Sequence, residues 1–510
     1  MRKSFNFFFK IIVKKLLWYG FLFYFFSFFF LSITFFLFTK IFFFNSIQKL
    51  FVYKKINKFF LTMLISALIA STLIIYLILL QSNTFTAAIP YCKHFNFLLF
   101  DVNQINFVNS WLNLTFNSLD IYIFPFIYIF IIVTVLSILF CLNYNFGETL
   151  LFSFYVTIIL IFGATLFFTN SIILFFLSYE MLLVPSFLIL YKFAKTRRCV
   201  EAAYLMFFWT QFGALFLIFS FLYLIIVCNF STFDNLSFSI FSKFETNFFF
   251  LCWIIGFGVK FPLWPFYGWL PKAHVEASTN FSIFLSGVLV KFAFFGFLKC
   301  LITLQLEPSF YFVYPFLVIG ITDSVFKLFY QIDLKKLVAY STVVEMHWLT
   351  ICILSGHSPL ILASFCMLIS HALLSSNSFL LVDAISRRFK TRLITEISGI
   401  NFLCPKLFLI ILANSLVFLG FPGSIFFIAE FIFFSYLFDL FPLLSLLLMI
   451  LLYLLGPTFF FRSWMNVMFG MSVNLLNAAP VDLLKKELVL FIFLIFLMFW
   501  LGFTWQAFIF

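Results

Sequence analysis

The stretch NFFFLCWIIGFGVKFPLWP, Asn247 to Pro265, decides the fold. It is an apolar run on the scale of a bilayer crossing, for which about 20 residues traverse roughly 30 Å of hydrocarbon. Yet it carries Lys260, and an ionisable side chain at mid-bilayer costs about 2.5 to 3.5 kcal/mol even on the lenient insertion scale. Pro262 and Pro265 follow, and Pro262 has no N–H to give, so the helix is expected to break beside the charge. Freed carbonyls are tolerable at membrane depth only beside protein or a wet cavity. A charge at an interrupted helix is the arrangement of an ion site in a transporter.

The rest of the chain agrees with a lipid solvent. Of 510 residues, 65% are hydrophobic and 10% charged, too little polar surface to cover a water-soluble globule of that size. The apolar runs are unbroken rather than alternating, which predicts an all-α membrane protein and not a barrel. Charged or polar breaks divide the chain into about fourteen spans, beginning near residues 16, 59, 121, 149, 171, 203, 247, 281, 309, 336, 360, 405, 440 and 488. The long connection from Gln81 to Asp120 is polar enough to lie outside the bilayer. Phenylalanine supplies 93 residues, more than packing demands, which suggests the loose coding of an AT-rich organelle genome.

Lys and Arg crowd alternate connections. Lys40 to Lys58, Lys192 to Arg198, Lys335 with Lys336, and Arg387 to Lys406 fall on one side, whereas the connections between them hold Lys93, Lys243 and Lys299. The basic side is expected to face the matrix or cytoplasm, with both termini on the other. Arg2, Lys3, Lys10, Lys14 and Lys15 disagree with that placement of the N-terminus. The net charge of +13 therefore reads as topology and anionic-lipid contact, not nucleic-acid binding. The basic Met1–Lys15 stretch is followed by a run long enough to stay as an anchor, so no cleaved signal is expected.

The nine cysteines stand singly, so no iron–sulfur cluster or metal site is spelled, and no Gly-rich phosphate loop offers a nucleotide site. Redox chemistry, if any, is expected on a partner. What remains are charges inside spans: Glu180 in SYEMLLVP, Lys260, Lys291 in SGVLVKF, and Glu430 in SIFFIAEF after the FPG break of Phe421–Gly423. A carboxylate near a buried lysine can load or unload its proton. The competing readings are a static Glu180–Lys260 salt bridge that fixes packing and a snorkelling Lys291. Simple interfacial exposure of Glu430 would require its break to shorten the run. His371, in LISHALLSSN, is either a satisfied polar packing residue or a relay group. Glu345 and His347 stand at i, i+2 on different helix faces, so at most one lines a given path. Lys327 is near enough to the end of its span to snorkel and is set aside.

Over roughly residues 120 to 470 the chain resembles the antiporter-like subunits of respiratory complex I. The likeness is carried by FLSYEMLLVPS, VKFPLWPFYGWLPKAHVEA (Val259–Ala277), GVLVKFAFFGF (Gly287–Phe297), DLKKLVAYS (Asp333–Ser341) and SHALLSS. Within that family it is similar to the subunit 4 branch, because Glu430 stands where sister subunits 2 and 5 are expected to have lysine. The chain also stops soon after its fourteenth span. The resemblance implies two inverted five-helix repeats, spans 4 to 8 and 9 to 13, with broken helices 7 and 12. The expected organisation is residues 1–148 for three helices and the long loop, 149–302 for the first repeat, 303–465 for the second, and 466–510 for the C-terminal helix.

It further implies a proton relay: Glu180 modulating Lys260 as the switching base, Lys291 and His371 as relay groups, and Glu430 as the terminal group. No cofactor is expected in this chain; flavin, iron–sulfur clusters and quinone belong to partner subunits of a proton-translocating NADH:ubiquinone reductase of the mitochondrial inner membrane. Antiporter-like subunits 2 and 5, with lipids such as cardiolipin, are the expected neighbours. A cation/proton (Na+/H+) antiporter subunit without a redox partner is the alternative, and an inert helical scaffold a further one. Three departures from the family pattern stand out: Tyr267 replaces the first histidine of the HxWLPxAH string, Ser278 replaces the proline after VEA, and Val344-Glu345-Met346 replaces SHM. A carboxylate for an imidazole changes the relay's charge, so no role carries over to Glu345.

Overall fold

Helix boundaries fall where the chain offers caps. Ser242 and Glu245 form a reciprocal capping box ahead of Lys260. Asp333 accepts the N–H of Lys335 at 2.9 Å, and Ser424 accepts that of Phe427 at 3.3 Å. Pro315, Pro359, Pro405 and Pro442 occupy first turns, where a missing N–H costs nothing.

The computed structural model describes residues 133–134, 137, 146–194, 196–228, 231–233, 241–303, 311–470 and 481–504, all in one unit, Phe100–Phe510. The spans expected near 16 and 59, most of that near 121, the basic N-terminus and the Gln81–Asp120 connection lie outside the described residues.

The first set of crossings is α1 (Phe146–Phe168); α2 (Ile172–Met181) with α3 (Leu183–Lys192); α4 (Arg197–Ile226); a broken crossing, α5 (Lys243–Lys260) and α6 (Trp269–Glu276); and α7 (Thr279–Phe284) continued through a π-turn, Leu285–Leu289, into α8 (Val290–Thr303). The second set is α9 (Tyr314–Phe329); α10 (Leu334–Leu354); α11 (Ser358–Phe389); a broken crossing, α12 (Pro405–Phe418) and α13 (Ile425–Leu440); and α14 (Pro442–Leu448), a π-turn, Met449–Leu455, and α15 (Gly456–Met468). Helix α16 (Lys485–Phe503) follows. Among the described residues, 7 helical runs are long and apolar enough to cross a membrane.

The second set repeats the first, with its fourth crossing broken and its fifth interrupted by a π-turn. The backbone pairing of the connections repeats as well. Ile172 N–H donates to Ser231 O at 3.0 Å and Phe233 N–H to Asn170 O at 3.0 Å; Leu334 N–H donates to Arg392 O at 3.1 Å and Ile394 N–H to Ile332 O at 2.9 Å. Each pairing ties the connection after a set's first crossing to the one after its third. Because five crossings are an odd number, the two pairings lie at opposite ends of the bundle, and the repeats are inverted.

The basic connections gather at one end. Lys335 Nζ donates to Ala277 O at 2.5 Å, and Arg392 donates to Val275 O at 3.0 Å while pairing with Asp333 at 2.7 Å. Thr196 donates to Glu276 at 3.4 Å, and Arg388 to Val481 O at 2.9 Å. At the other end Lys299 reaches Thr169 O at 2.5 Å. This is the sidedness that the alternation of Lys and Arg predicts.

Burial grades from the centre outward. The run α7–α8 is 94% buried within its apolar window and α10 89%, against 39% for α4 and 38% for α14–α15. Helix α4 turns Phe208, Leu215, Phe219 and Ile226 outward on one face, the surface a helix presents to lipid rather than water. The innermost crossings are those that carry Lys291, Glu345 and His371.

Candidate functional site

At the first break, helix α5 ends on Lys260. The orphan carbonyls of its last turn find partners inside the protein: Phe257 O accepts from Phe261 N–H at 2.8 Å, Gly258 O from Leu263 N–H at 2.9 Å, and Val259 O from the Trp269 indole at 2.8 Å. The expectation of free carbonyls at this break is therefore corrected, because the tight turn and an indole from the following helix replace the bonds that Pro262 removes. Trp264 N–H, which the break also frees, donates to Nε2 of His347 at 2.7 Å.

Lys260 Nζ then points at the second crossing. It lies 3.0 Å from Oε1 of Glu180, donates to Tyr179 O at 3.2 Å, and sits 3.6 Å over the Tyr179 ring. Gln211 holds the other carboxylate oxygen at 3.3 Å. Carboxylate, carbonyl and ring face satisfy an ammonium kept largely from solvent, in the way a buried charge requires.

The centre of the bundle holds a second basic group. Lys291 is 1% exposed and donates to Ser286 O, a carbonyl of the π-turn that precedes it. Its Nζ also lies 2.5 Å from Nδ1 of His371, itself 1% exposed. For this contact to be a hydrogen bond, one nitrogen donates and the other accepts, so Lys291 and His371 cannot both be fully charged. Nε2 on the far side of the His371 ring lies 3.7 Å from Oε2 of Glu345.

At the second break the carbonyls are again taken up locally: Leu416 O accepts from Phe421 N–H at 3.2 Å and Val417 O from Gly420 N–H at 3.0 Å. Glu430, 8% exposed, stands on α13 just beyond this break. It lines a cavity together with Glu345, Trp348, Met367, Phe418 and Phe426. The cavity leaves about 30 Å³ of room, where roughly 10 to 15 Å³ suffices for one water.

The five residues singled out in the sequence thus form two contacting pairs, Glu180 with Lys260 and Lys291 with His371, with Glu430 apart. Among the described residues no hydrogen bond joins Lys260 to Lys291 or Glu430 to His371. The element between His371 and Glu430 is Glu345, to which no role was carried over. Its signal was present: a carboxylate in mid-span, two residues from His347 and on another face. The structure places Glu345 toward His371 and the cavity, and His347 toward Trp264, as the i, i+2 spacing requires.

Two further groups were missed. Lys327, set aside as a snorkeller, instead pairs with Asp323 at 2.7 Å and donates to the hydroxyl of Tyr267 at 2.5 Å, which in turn donates to Asp323. The partner is one turn back on the same helix, a spacing legible in the sequence; Tyr267 arrives from the first break. His274 is 0% exposed, stacks on Phe379 at 4.8 Å, and among the described residues neither ring nitrogen has a hydrogen-bond partner.

A bundle of two inverted five-crossing repeats, each broken at its fourth crossing, with paired charges at its centre, defines an antiporter-type membrane subunit. The chain belongs to the NADH:quinone oxidoreductase/Mrp antiporter transmembrane family, whose pattern it matches over residues 169–476. It is 36% identical over 327 residues to NADH-ubiquinone oxidoreductase chain 4 of Paramecium tetraurelia, covering 64% of this chain and 69% of that one. It is 30% identical over 343 residues to NADH-quinone oxidoreductase subunit M of Rickettsia felis, covering 65% and 68%. The fold is that of a chain of respiratory complex I from Thermus thermophilus, with a TM-score of 0.64 at 19% identity over 75% of this chain and 82% of that one. It is equally that of a chain of the Mrp complex from Dietzia sp., with a TM-score of 0.66 at 14% identity over 75% and 81%.

Proposed function

We propose that this chain is the chain 4-type, proton-translocating membrane subunit of a respiratory NADH:ubiquinone oxidoreductase, and that it conducts protons while quinone is reduced elsewhere in the complex. It carries no redox centre of its own; flavin, iron–sulfur clusters and quinone sit on partner subunits. Its neighbours are the antiporter-like subunits 2 and 5, with cardiolipin along the lipid-facing flanks, in the mitochondrial inner membrane.

The observation that carries this reading is the contact of Lys291 with His371, two basic groups 2.5 Å apart in a site 1% exposed. Such a pair holds one proton between two bases, and any change in nearby charge moves that proton. Glu180 and Lys260 form a charge pair at the first break that can supply the change: when the pair opens, a positive charge is released inside the bundle. One elementary charge moved across 100 mV is worth about 2.3 kcal/mol, less than two pKa units, so rearranging one ion pair is sufficient to gate a transfer. In this relay Glu180 modulates Lys260, Lys260 switches, Lys291 and His371 pass the proton, and Glu430 is the terminal group.

The test is Lys260→Ala in the assembled complex in proteoliposomes. Pumping should fall roughly 100-fold, the usual contribution of a positioned proton-transfer group, while the complex still assembles. Full proton stoichiometry in that variant refutes the assignment. The fold serves a cation/proton antiporter equally well; purification without flavin and iron–sulfur subunits, together with sodium-driven proton exchange, would establish that second reading.

A further inference from the structure

We propose that Tyr179 is a positioning residue of the first charge pair: the face of its ring is a second seat for the Lys260 ammonium, one that stays in place when Glu180 moves away. The inference rests on the relay reading above and deepens it, because it supplies a holder for the switching charge while the pair is open.

Two partners of Lys260 Nζ belong to Tyr179: the ring, whose centroid is 3.6 Å away, and the backbone carbonyl, at 3.2 Å. A cation is attracted to a ring face within about 6 Å, and more strongly where water is kept out. Water is kept out here, since Tyr179 is 1% exposed and the Lys260 side chain 14%. The Tyr179 hydroxyl is buried and has no hydrogen-bond partner among the described residues. The lysine therefore meets the ring face and the main chain of Tyr179, not its polar end.

The ring is the fixed partner. Tyr179 packs edge-on against Phe257 at 5.3 Å, and Phe257 stands one turn before Lys260 on α5, so two residues of one helix face grip the same ring. Gly296 on α8 leaves the space that Phe257 fills, because a side-chain carbon there would lie 2.7 Å from the Phe257 ring. The carboxylate is placed differently. Successive helical residues point about 100° apart, so α2 turns Tyr179 into the bundle and Glu180 toward its edge, beside the exposed Leu177, Met181 and Val184. The second oxygen of Glu180 is held by a neutral amide, Gln211, at 3.3 Å. A swing of the Glu180 side chain thus removes one partner of Lys260 and leaves the two from Tyr179.

A second buried lysine of this repeat shows the same pairing. Lys299 donates to Thr169 O at 2.5 Å and lies 4.9 Å over the Phe233 ring. Carbonyl plus aromatic face houses an ammonium twice within one repeat. Tyr179 itself carries no proton; it keeps Lys260 charged and in place, so the returning carboxylate finds its partner where it left it.

The test joins a stability cycle to a pumping assay in the assembled complex. Tyr179→Leu and Lys260→Met are made singly and together, and release of the subunit on heating is followed alongside proton pumping per assembled complex. A desolvated ring contact is worth roughly 30-fold in holding the ammonium, and Tyr179→Leu should lower pumping by about that factor. Tyr179→Phe, which restores the ring face, should return pumping to within about threefold of native. The thermal losses of Tyr179→Leu and Lys260→Met should be less than additive, because each removes the same contact. Additive losses mean that the ring only packs, and they overturn the inference; so does native pumping in Tyr179→Leu, or pumping as low in Tyr179→Phe as in Tyr179→Leu. Native pumping in Lys260→Met is a different failure, which sinks the relay reading and the inference with it. Should Tyr179→Leu not accumulate, Tyr179→Met, a flexible filler without a ring face, is read in its place by the same criteria.

Discussion

The carboxylate of Glu430 occupies the space that a side chain at Gly420 would fill: a carbon added there would lie 2.6 Å from Glu430 Oε2. Gly420 also has φ +73, in the left-handed region where a Cβ meets its own carbonyl. One residue therefore turns the chain at the second break and leaves room for the charge beyond it.

Gly420→Ala should cost about 1 to 3 kcal/mol from backbone strain alone and should also push Glu430 toward the cavity. Lower thermal stability of the assembled subunit, with pumping reduced more than assembly, is the expected result. A Gly420→Ala complex with native melting and native pumping would mean that neither the turn nor the space matters.

Lys291→Met tests the central pair. Methionine has nearly the length of lysine without its charge, and a buried apolar chain is cheaper at mid-bilayer than an ammonium, so assembly should persist. Proton uptake by proteoliposomes should nevertheless fall roughly 100-fold, because His371 loses the group with which it shares a proton. Dye quenching during NADH oxidation measures this directly.

His347 caps the first break, since its Nε2 accepts Trp264 N–H at 2.7 Å and its Nδ1 lies 2.8 Å from Val343 O. Replacing it with phenylalanine leaves that buried amide unsatisfied, at about 1 to 3 kcal/mol. A side-chain carbon at Gly320 would overlap the same imidazole. Gly320→Ala should therefore harm the native protein more than it harms a His347→Ala background, where only the 2.9 Å approach to Trp264 Cβ remains. Additive losses in this double-mutant cycle would separate the two sites.

Glu487 fastens the last described helix to α11. It is 5% exposed, contacts Arg388 and lies 3.4 Å from Arg387. Glu487→Gln takes from Arg388 its carboxylate, and the cost should be about 3 kcal/mol, the low end for breaking a buried pair because Arg388 keeps the carbonyls of Val481 and Ala384 and Arg387 keeps Asp383 at 2.8 Å. Native gels over a temperature series should show the variant complex losing this subunit first.

The crossings were legible because each is a local fact. Asn247 to Lys260 is apolar whatever surrounds it, and Pro262 ends its helix by lacking a hydrogen. The same holds for Pro422 and Gly423 at the second break. The charged candidates were legible for a related reason: a Lys291 or Glu430 in hydrocarbon is conspicuous by its cost. The sidedness of the connections followed from Lys and Arg counted loop by loop. Three things were missed or misread. The free carbonyls expected at the first break are bonded, because Trp269 and Leu263 reach them only once the chain has folded back. Lys327 was dismissed from its position near a helix end, although its partners Asp323 and Tyr267 come from its own helix and from the first break. Glu345 was left without a role because a carboxylate stands where an imidazole was expected.

The sequence by itself determined that this chain lives in lipid, where its helices cross and break, and which few charges had to be sheltered, because hydrophobic length, proline and charge cost act on residues near in the chain. Only the tertiary structure decided which of those charges meet. Lys291 and His371 are 80 residues apart in sequence and 2.5 Å apart in space, and Glu345 comes between His371 and Glu430 only because α10, α11 and α13 pack together. Proton transfer depends on distances of a few ångströms, and those are set by packing across the bundle, which no local pattern encodes.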